Sequence, residues 1–97
     1  MENVATPIII EKESIVNLKF PAEKLDRTRE QEKELIDKLH RATSLGNIDQ
    51  QKARIIFKDS EGLKVVETTI WATGEKNIVL KQGVTIPIHR IVDVNFY

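Results

Sequence analysis

The fold is decided by the second half of the chain, residues 53–97, which reads ARIIFKDSEGLKVVETTIWATGEKNIVLKQGVTIPIHRIVDVNFY. Short runs of alternating apolar and polar residues follow one another there, and turns containing glycine separate them. Alternation of period two is typical of strands with one buried face, and glycine permits the positive φ that many hairpin turns require. The stretch therefore predicts four to five antiparallel strands in close succession.

Three details of this stretch refine the prediction. Gly62 closes the turn Asp59-Ser60-Glu61-Gly62 and is expected at positive φ. The strand over residues 63–73 is long, and the Thr68-Thr69 pair near its middle predicts a bend that lets one strand serve two sheets. Pro87 has no N–H for a strand ladder and therefore marks a strand end or an edge. The predicted apolar interior comprises Ile55, Phe57, Ile70, Leu80 and Ile86.

A helix is predicted upstream of the strands, over residues 21–46. Pro21 suits a first helical turn because its missing N–H would have no partner there. The pattern Thr28-x-x-Gln31 is a capping box and offers a second start near residue 29, but the earlier start is preferred. Gly46 is expected to end the helix as a left-handed cap. The charged face of the helix is interpreted as solvated surface, with a partner-binding helix as the alternative.

Residues 1–20 are predicted to form an arm. Val16, Leu18 and Phe20 alternate with polar residues, which predicts a strand. The run Ile8-Ile9-Ile10 fits either an extra strand or an exposed docking segment. The expected architecture is an α+β single domain over residues 1–97: an N-terminal arm or strand (1–20), one helix (21–46) and a small antiparallel SH3-like or Sm-like β-barrel (53–97).

Composition limits the classes of function. The 97 residues include 15 Lys and Arg, 15 Asp and Glu and no cysteine, so the formal net charge is zero. Disulfides and thiolate metal sites are therefore excluded, and any nucleic-acid role has to rest on a local basic patch. The sequence begins without a basic, apolar leader and contains no apolar run near the ~20 residues of a membrane span. A cytoplasmic protein with no membrane partner is expected.

Several of these runs resemble the Sm-like family, in particular the Hfq-type bacterial RNA chaperones. The matching residues are Ile55-Ile56-Phe57-Lys58, the turn 59–62, Ile78-Val79-Leu80-Lys81-Gln82 and His89-Arg90-Ile91-Val92-Asp93-Val94. The resemblance implies a helix packed on a strongly bent five-stranded barrel, assembly into rings and RNA binding. Ile88 stands where the family has a lysine, so only His89 carries over from the uridine-binding site. A generic SH3-like barrel fits the same residues.

Catalysis finds no support in the sequence. Ser14, Ser44 and Ser60 fall in linkers or turns, without a setting that would activate a nucleophile. Neither His40 nor His89 has a second histidine three or four residues away to build a metal site. The four glycines are scattered singly, so no phosphate-cradling loop is present. The chain is predicted to be a non-enzymatic protein without cofactor or metal.

Single-stranded RNA is the leading predicted ligand. The candidate contact residues are Arg54, Trp71, Lys76, His89 and Arg90. Exposed aromatic rings on small barrels stack with bases, which contributes ~1–3 kcal/mol per base, and basic side chains at strand ends neutralise phosphates. Two structural interpretations compete with this one. Trp71 fits a buried ring, and the pair His89-Arg90 fits a turn held by hydrogen bonds to backbone carbonyls.

Protein association is the alternative function. The last predicted strand, from Ile91 to Phe96, ends beside Tyr97, and an exposed terminal strand is a template for pairing with another chain. The Ile8–Ile10 run could add to a neighbouring sheet in the same way. Formal neutrality also favours association over phosphate binding. The alternative is therefore a structural or adaptor protein that self-associates, or binds a protein partner, through its terminal strand and arm.

Overall fold

The computed structural model describes residues 7–96. Within this range it contains one α-helix, α1 (Arg29–Asp49), and three 3₁₀ helices at Lys12–Asn17, Lys81–Gly83 and Ile88–Arg90. The strands of the described range are β1 (Ile8–Ile9), β2 (Ala53–Lys58), β3 (Leu63–Thr68), β4 (Ile70–Thr73), β5 (Asn77–Leu80), β6 (Thr85–Pro87) and β7 (Ile91–Phe96). The predicted α+β class is confirmed. Residues 1–6 of the predicted arm, and Tyr97, lie outside the described residues.

The strands form two sheets, one in the order β1-β3-β2-β7 and the other in the order β4-β5-β6. Strands β3 and β4 are the two halves of the long strand predicted over residues 63–73. They are separated at Thr69 and belong to different sheets, so the predicted bend is confirmed. The break raises the number of strands between residues 53 and 96 to six. Neither sheet of the described residues closes on itself, so the pairing does not confirm a barrel.

The predicted interior is confirmed. Ile55, Phe57, Ile70, Leu80 and Ile86 each have 0% exposure and belong to one apolar cluster that draws on both sheets. Burying an aliphatic or aromatic side chain of this size contributes about 1.5–3 kcal/mol to folding. The helix adds its apolar stripe to the same cluster through Leu35, Leu39 and Ala42.

The helix begins later than the preferred prediction. It starts at Arg29 rather than near residue 21, and the capping box that suggested a second start is formed. Thr28 Oγ1 accepts a hydrogen bond from the Gln31 N–H at 3.0 Å, and Gln31 Oε1 accepts one from the Thr28 N–H at 2.9 Å. Because these bonds satisfy donors that a helix start leaves unpaired, they fix the first turn at this position.

The helix also ends later than predicted. It continues to Asp49, and Gln50 takes the left-handed conformation with φ of 55° that was expected of Gly46. Gly46 is buried inside the helix, where a Cβ would lie 2.7 Å from the carbonyl oxygen of Ile70. The glycine therefore permits close contact between α1 and β4 rather than ending the helix.

The arm differs from the prediction in its second part. The strand expected around Val16 is absent from the described residues, because Lys12–Asn17 forms a 3₁₀ helix that buries Ile15 and leaves Val16 72% exposed. The Ile8-Ile9-Ile10 run contains a strand, which confirms the first of its two interpretations, an extra strand. Strand β1 pairs in parallel with β3, and the N–H of Ile10 donates to Val65 O at 2.9 Å.

The β2–β3 turn is organised by Asp59, which is 2% exposed. Its carboxylate accepts hydrogen bonds from the N–H groups of Glu61 and Gly62 at 2.8 and 3.0 Å and from Lys64 Nζ at 2.9 Å. Burial acts to raise the pKa of Asp59, but these hydrogen bonds outweigh it and lower the pKa below its ordinary value. The bond to Asp59 raises the pKa of Lys64 above its ordinary value, against the opposing effect of burial. Gly62 has φ of 145°, as the turn requires.

Candidate functional site

Of the five predicted contact residues, Arg54 is held in a cross-strand ion pair. It faces Glu67 across the β2–β3 pairing, and its Nε and Nη2 atoms donate to Glu67 Oε2 at 2.9 and 2.6 Å. Both side chains are partly exposed. The carboxylate neutralises the guanidinium, so Arg54 offers a phosphate less attraction than an unpaired cation would.

Trp71 lies at the surface rather than in the core. The residue is 47% exposed, so the interpretation of a buried ring is wrong. The physical reason is a register shift in the β4–β5 pairing between Ile70 and Ala72. An extra residue at such a bulge interrupts the alternation of faces, and both Trp71 and Ala72 are exposed. The ring is available for stacking.

His89 and Arg90 both donate hydrogen bonds to backbone carbonyls. Arg90 is 5% exposed, and its guanidinium donates from Nε to Lys58 O at 2.9 Å and from Nη1 to Glu23 O at 2.7 Å. His89 Nε2 donates to Pro21 O at 2.9 Å. The structural interpretation of this pair is therefore confirmed in its geometry, and the guanidinium of Arg90 is turned away from solvent.

The carbonyls of Pro21 and Glu23 belong to residues 18–28, which form neither helix nor strand. We call this segment the strap. Two backbone hydrogen bonds tie it to the rest of the fold. Ser60 N of the β2–β3 turn donates to Lys19 O at 2.8 Å, and Leu25 N donates to His89 O of the Ile88–Arg90 3₁₀ helix at 3.2 Å. Arg27 of the strap donates in turn to the carbonyls of Ile88 and Ile91. Side chains of the strap and side chains of the body of the fold therefore both hold the strap in place.

A groove of about 660 Å³ lies between the strap and the edge of the three-stranded sheet. One wall comes from the strap and the start of α1, and the other from the β4–β5 turn and the end of β6. The groove is lined by Lys24, Leu25, Arg27, Thr28, Arg29, Glu32, Glu75, Lys76, Asn77, Pro87, Ile88 and His89. The fold therefore brings two predicted residues together, Lys76 and His89, whereas Arg54, Trp71 and Arg90 do not line the groove.

The groove carries an excess of positive charge. Arg27 pairs with Glu32 at 2.8 Å, so these two charges cancel. Three further cations line the groove: Lys24, Arg29 and Lys76. Within residues 7–96, their side chains form no ion pair or hydrogen bond. Only Glu75 opposes them among the lining residues. Three unpaired cations against one carboxylate make the groove suited to an anionic ligand.

A second cleft, of about 330 Å³, lies on the other side of Arg27, between the strap, α1 and β7. Its charged lining has the opposite balance, because Asp26, Glu34 and Asp93 outnumber the two cations Arg27 and Lys38. Lys38 pairs with Asp93 at 3.0 Å. An anion would be repelled from this cleft, in contrast to the groove.

Sequence reasoning missed Lys24 and Arg29. Both fall within the predicted helix 21–46, whose charged face is interpreted as solvated surface. The signal that could have found them was the capping box at Thr28, since a helix that starts there leaves residues 21–28 free to run along the sheet.

The described residues contain no cluster of three or more metal-ligating side chains. They also contain no helix that is both long and apolar enough to cross a bilayer. Comparisons of the chain with family models, with curated proteins and with solved structures found no match.

Proposed function

We propose that the protein is a non-enzymatic binding module whose groove binds single-stranded RNA. The observation that carries this proposal is the meeting of Lys24, Arg29 and Lys76, all unpaired, in one groove. Lysine and arginine bind the phosphates of a nucleic-acid backbone and release its condensed counterions, which favours binding even without base contacts. The volume of the groove falls within the range of small-ligand sites, so it would accept a short stretch of the strand. We propose that the protein binds this RNA in the cytoplasm.

We also propose that the two sheets are the two halves of one small barrel of the SH3-like or Sm-like kind. The chain passes from one sheet to the other at Thr69, and β7 returns to pair with β2. A 3₁₀ helix at Ile88–Arg90 makes the link between β6 and β7. Buried residues of both sheets belong to one cluster, which supports a shared interior.

Trp71 would act separately from the groove. Its ring is exposed but does not line the groove, so a strand confined to the groove would leave it unchanged. A longer strand could leave the groove and stack on the ring, which would add ~1–3 kcal/mol per stacked base. Since Trp71 is the single tryptophan of the chain, its fluorescence reports this contact directly.

The test is a fluorescence-anisotropy titration of a labelled single-stranded oligouridylate. Three phosphate contacts give a slope of about −2 in log affinity against log salt, so affinity should fall about 20-fold between about 50 and about 200 mM salt. Lys24→Ala and Lys76→Ala should each weaken binding and flatten this slope by about 0.7.

Lys52→Ala is the matched control, because Lys52 is exposed and follows the far end of α1. The 21-residue helix places it about 30 Å from Arg29. Equal losses in the control and the groove variants, or no binding at low salt, would reject the proposal.

A second proposal is self-association through the arm, and one observation favours it. Ile8 and Ile9 expose 60% and 72% of their surface on β1, which is the outermost strand of its sheet. Strand β7 is a poorer template for pairing with another chain than predicted, because some of its backbone groups already have partners. The Val94 N–H already donates to Asp93 Oδ1 at 2.9 Å, and Ile91 O accepts from Arg27. Light scattering at high protein concentration tests this proposal, and a strictly monomeric species would reject it.

A further inference from the structure

The groove has one wall of fixed position and one that depends on the strap. Lys76 lies in the β4–β5 turn, which is closed by hydrogen bonds from Gly74 N to Asn77 O and from Ile88 N to Lys76 O, both 2.8 Å. Lys24 lies on the strap, where no ladder of helix or strand hydrogen bonds fixes the backbone. The distance between these two cations therefore depends on what holds the strap in place.

The side chain that ties the strap to the body of the fold next to Lys24 is that of Arg90. Its guanidinium joins Glu23 O of the strap to Lys58 O of β2, with 2.7 and 2.9 Å between donor and acceptor. The bond to Glu23 is one residue away from Lys24. With 5% of its surface exposed and no part in lining the groove, Arg90 would not touch a ligand there.

We infer that Arg90 is a positioning residue for the groove: it sets the place of Lys24, and through Lys24 the affinity for RNA. This inference rests on the proposed function. Replacing Arg90 frees Glu23 O, the carbonyl next to Lys24. The other hydrogen bonds of the strap remain, so the change is local to residues 23–24, and Lys24 loses its place opposite Lys76. The β4–β5 turn keeps its own hydrogen bonds, so the contribution of Lys76 is retained.

A double-mutant cycle measures this difference between the two lysines. In the wild-type background, Lys24→Ala and Lys76→Ala should each weaken oligouridylate binding about two- to fivefold, as expected for an exposed ion pair. In the Arg90→Met background, Lys76→Ala should keep that effect, whereas Lys24→Ala should change affinity less than about 1.5-fold. Arg90→Met conserves much of the side-chain volume and removes the donors.

The outcomes separate the inference from the function on which it rests. Full weakening by Lys24→Ala in the Arg90→Met background would overturn the positioning role while leaving RNA binding intact. Equal loss of both lysine effects would also overturn it, because that pattern indicates general loss of structure. Absence of binding by the wild-type protein would reject the proposed function and the inference together.

A second measurement uses the wild-type chain and covers the case in which Arg90→Met does not fold. The Leu25 N–H donates to His89 O at 3.2 Å, so its hydrogen exchange reports whether the strap is seated. If a seated strap favours binding, then by linkage bound RNA must favour the seated strap. Exchange at Leu25 should slow by about the same factor as the strap's contribution to affinity. Unchanged exchange at saturating oligouridylate would overturn the inference.

Discussion

Gly46 gives α1 its close contact with β4, and its replacement by alanine tests the packing of the fold. A Cβ at this position would lie 2.7 Å from Ile70 O and 2.8 Å from Thr69 Cγ2. The oxygen belongs to the backbone of β4 at the buried residue Ile70, so it cannot rotate away as the end of a flexible side chain would. The helix and the three-stranded sheet would have to separate.

Two effects of opposite sign decide the size of the change. Alanine is favoured over glycine by about 1 kcal/mol inside a helix. Overpacking a well-filled interior costs about 1–3 kcal/mol, and contact with backbone atoms puts Gly46→Ala at the upper end of that range. The net expected loss is about 2 kcal/mol in the free energy of unfolding. For a chain of 97 residues this corresponds to a fall in Tm of about 8–16 °C.

Urea denaturation followed by circular dichroism measures this loss, with Asn47→Ala as the matched control. Asn47 is the next residue of the same helix and is exposed, so alanine there gains helix propensity without a clash. The control should become more stable by about 0.5 kcal/mol. If Gly46→Ala is as stable as the control, α1 does not pack on β4 as described.

The remaining predictions concern three charged side chains. Asp59→Asn should cost about 2–3 kcal/mol in denaturation experiments at neutral pH, because it removes one side of a buried ion pair. Because the folded pKa of Asp59 is lowered, its stabilisation is present above the unfolded pKa of about 3.9 and is lost as the pH falls through the folded value. The loss of stability on acidification should therefore be smaller in Asp59→Asn, and equal pH profiles would contradict this assignment. Arg90→Met should cost about 2–4 kcal/mol in urea, since it removes two hydrogen bonds from a buried guanidinium to backbone carbonyls; a cost below about 1 kcal/mol would mean that the strap is not held there. Arg54→Ala should change Tm little, because an exposed pair such as Arg54–Glu67 contributes about 0.2–1 kcal/mol, and a larger fall would show the pair to be structural.

The strands could be predicted from the sequence because their signals are local. Alternation in Ala53–Lys58 predicts which face of β2 is buried, and Ile55 on that face is buried. The Thr68-Thr69 pair predicts the bend after β3, and Ile70 beyond the bend is also buried. The role of Gly46 could not be predicted in this way. A glycine near the end of a helix suits a cap as well as a close contact, and only the partner strand decides between them.

The candidate site was harder to predict than the fold because its residues come from distant parts of the chain. Lys76 and His89 were found from their own strand ends, but their neighbours Lys24 and Arg29 depend on where the helix begins. Arginine is a residue type that often binds phosphate, yet the guanidinium of Arg90 donates its hydrogen bonds to Lys58 O and Glu23 O. The sequence does not indicate which backbone carbonyls will accept these hydrogen bonds, because every residue has a carbonyl.

The proposed function requires that an RNA strand binds in the groove between the strap and the three-stranded sheet. A map of backbone amide chemical shifts during titration with a short oligouridylate tests it most directly. Shifts are expected to concentrate at residues 24–29, 75–77 and 88–89, whereas residues around Lys52 should not shift. Shifts that avoid these three segments, or that centre on Ile8 and Ile9, would contradict RNA binding in the groove.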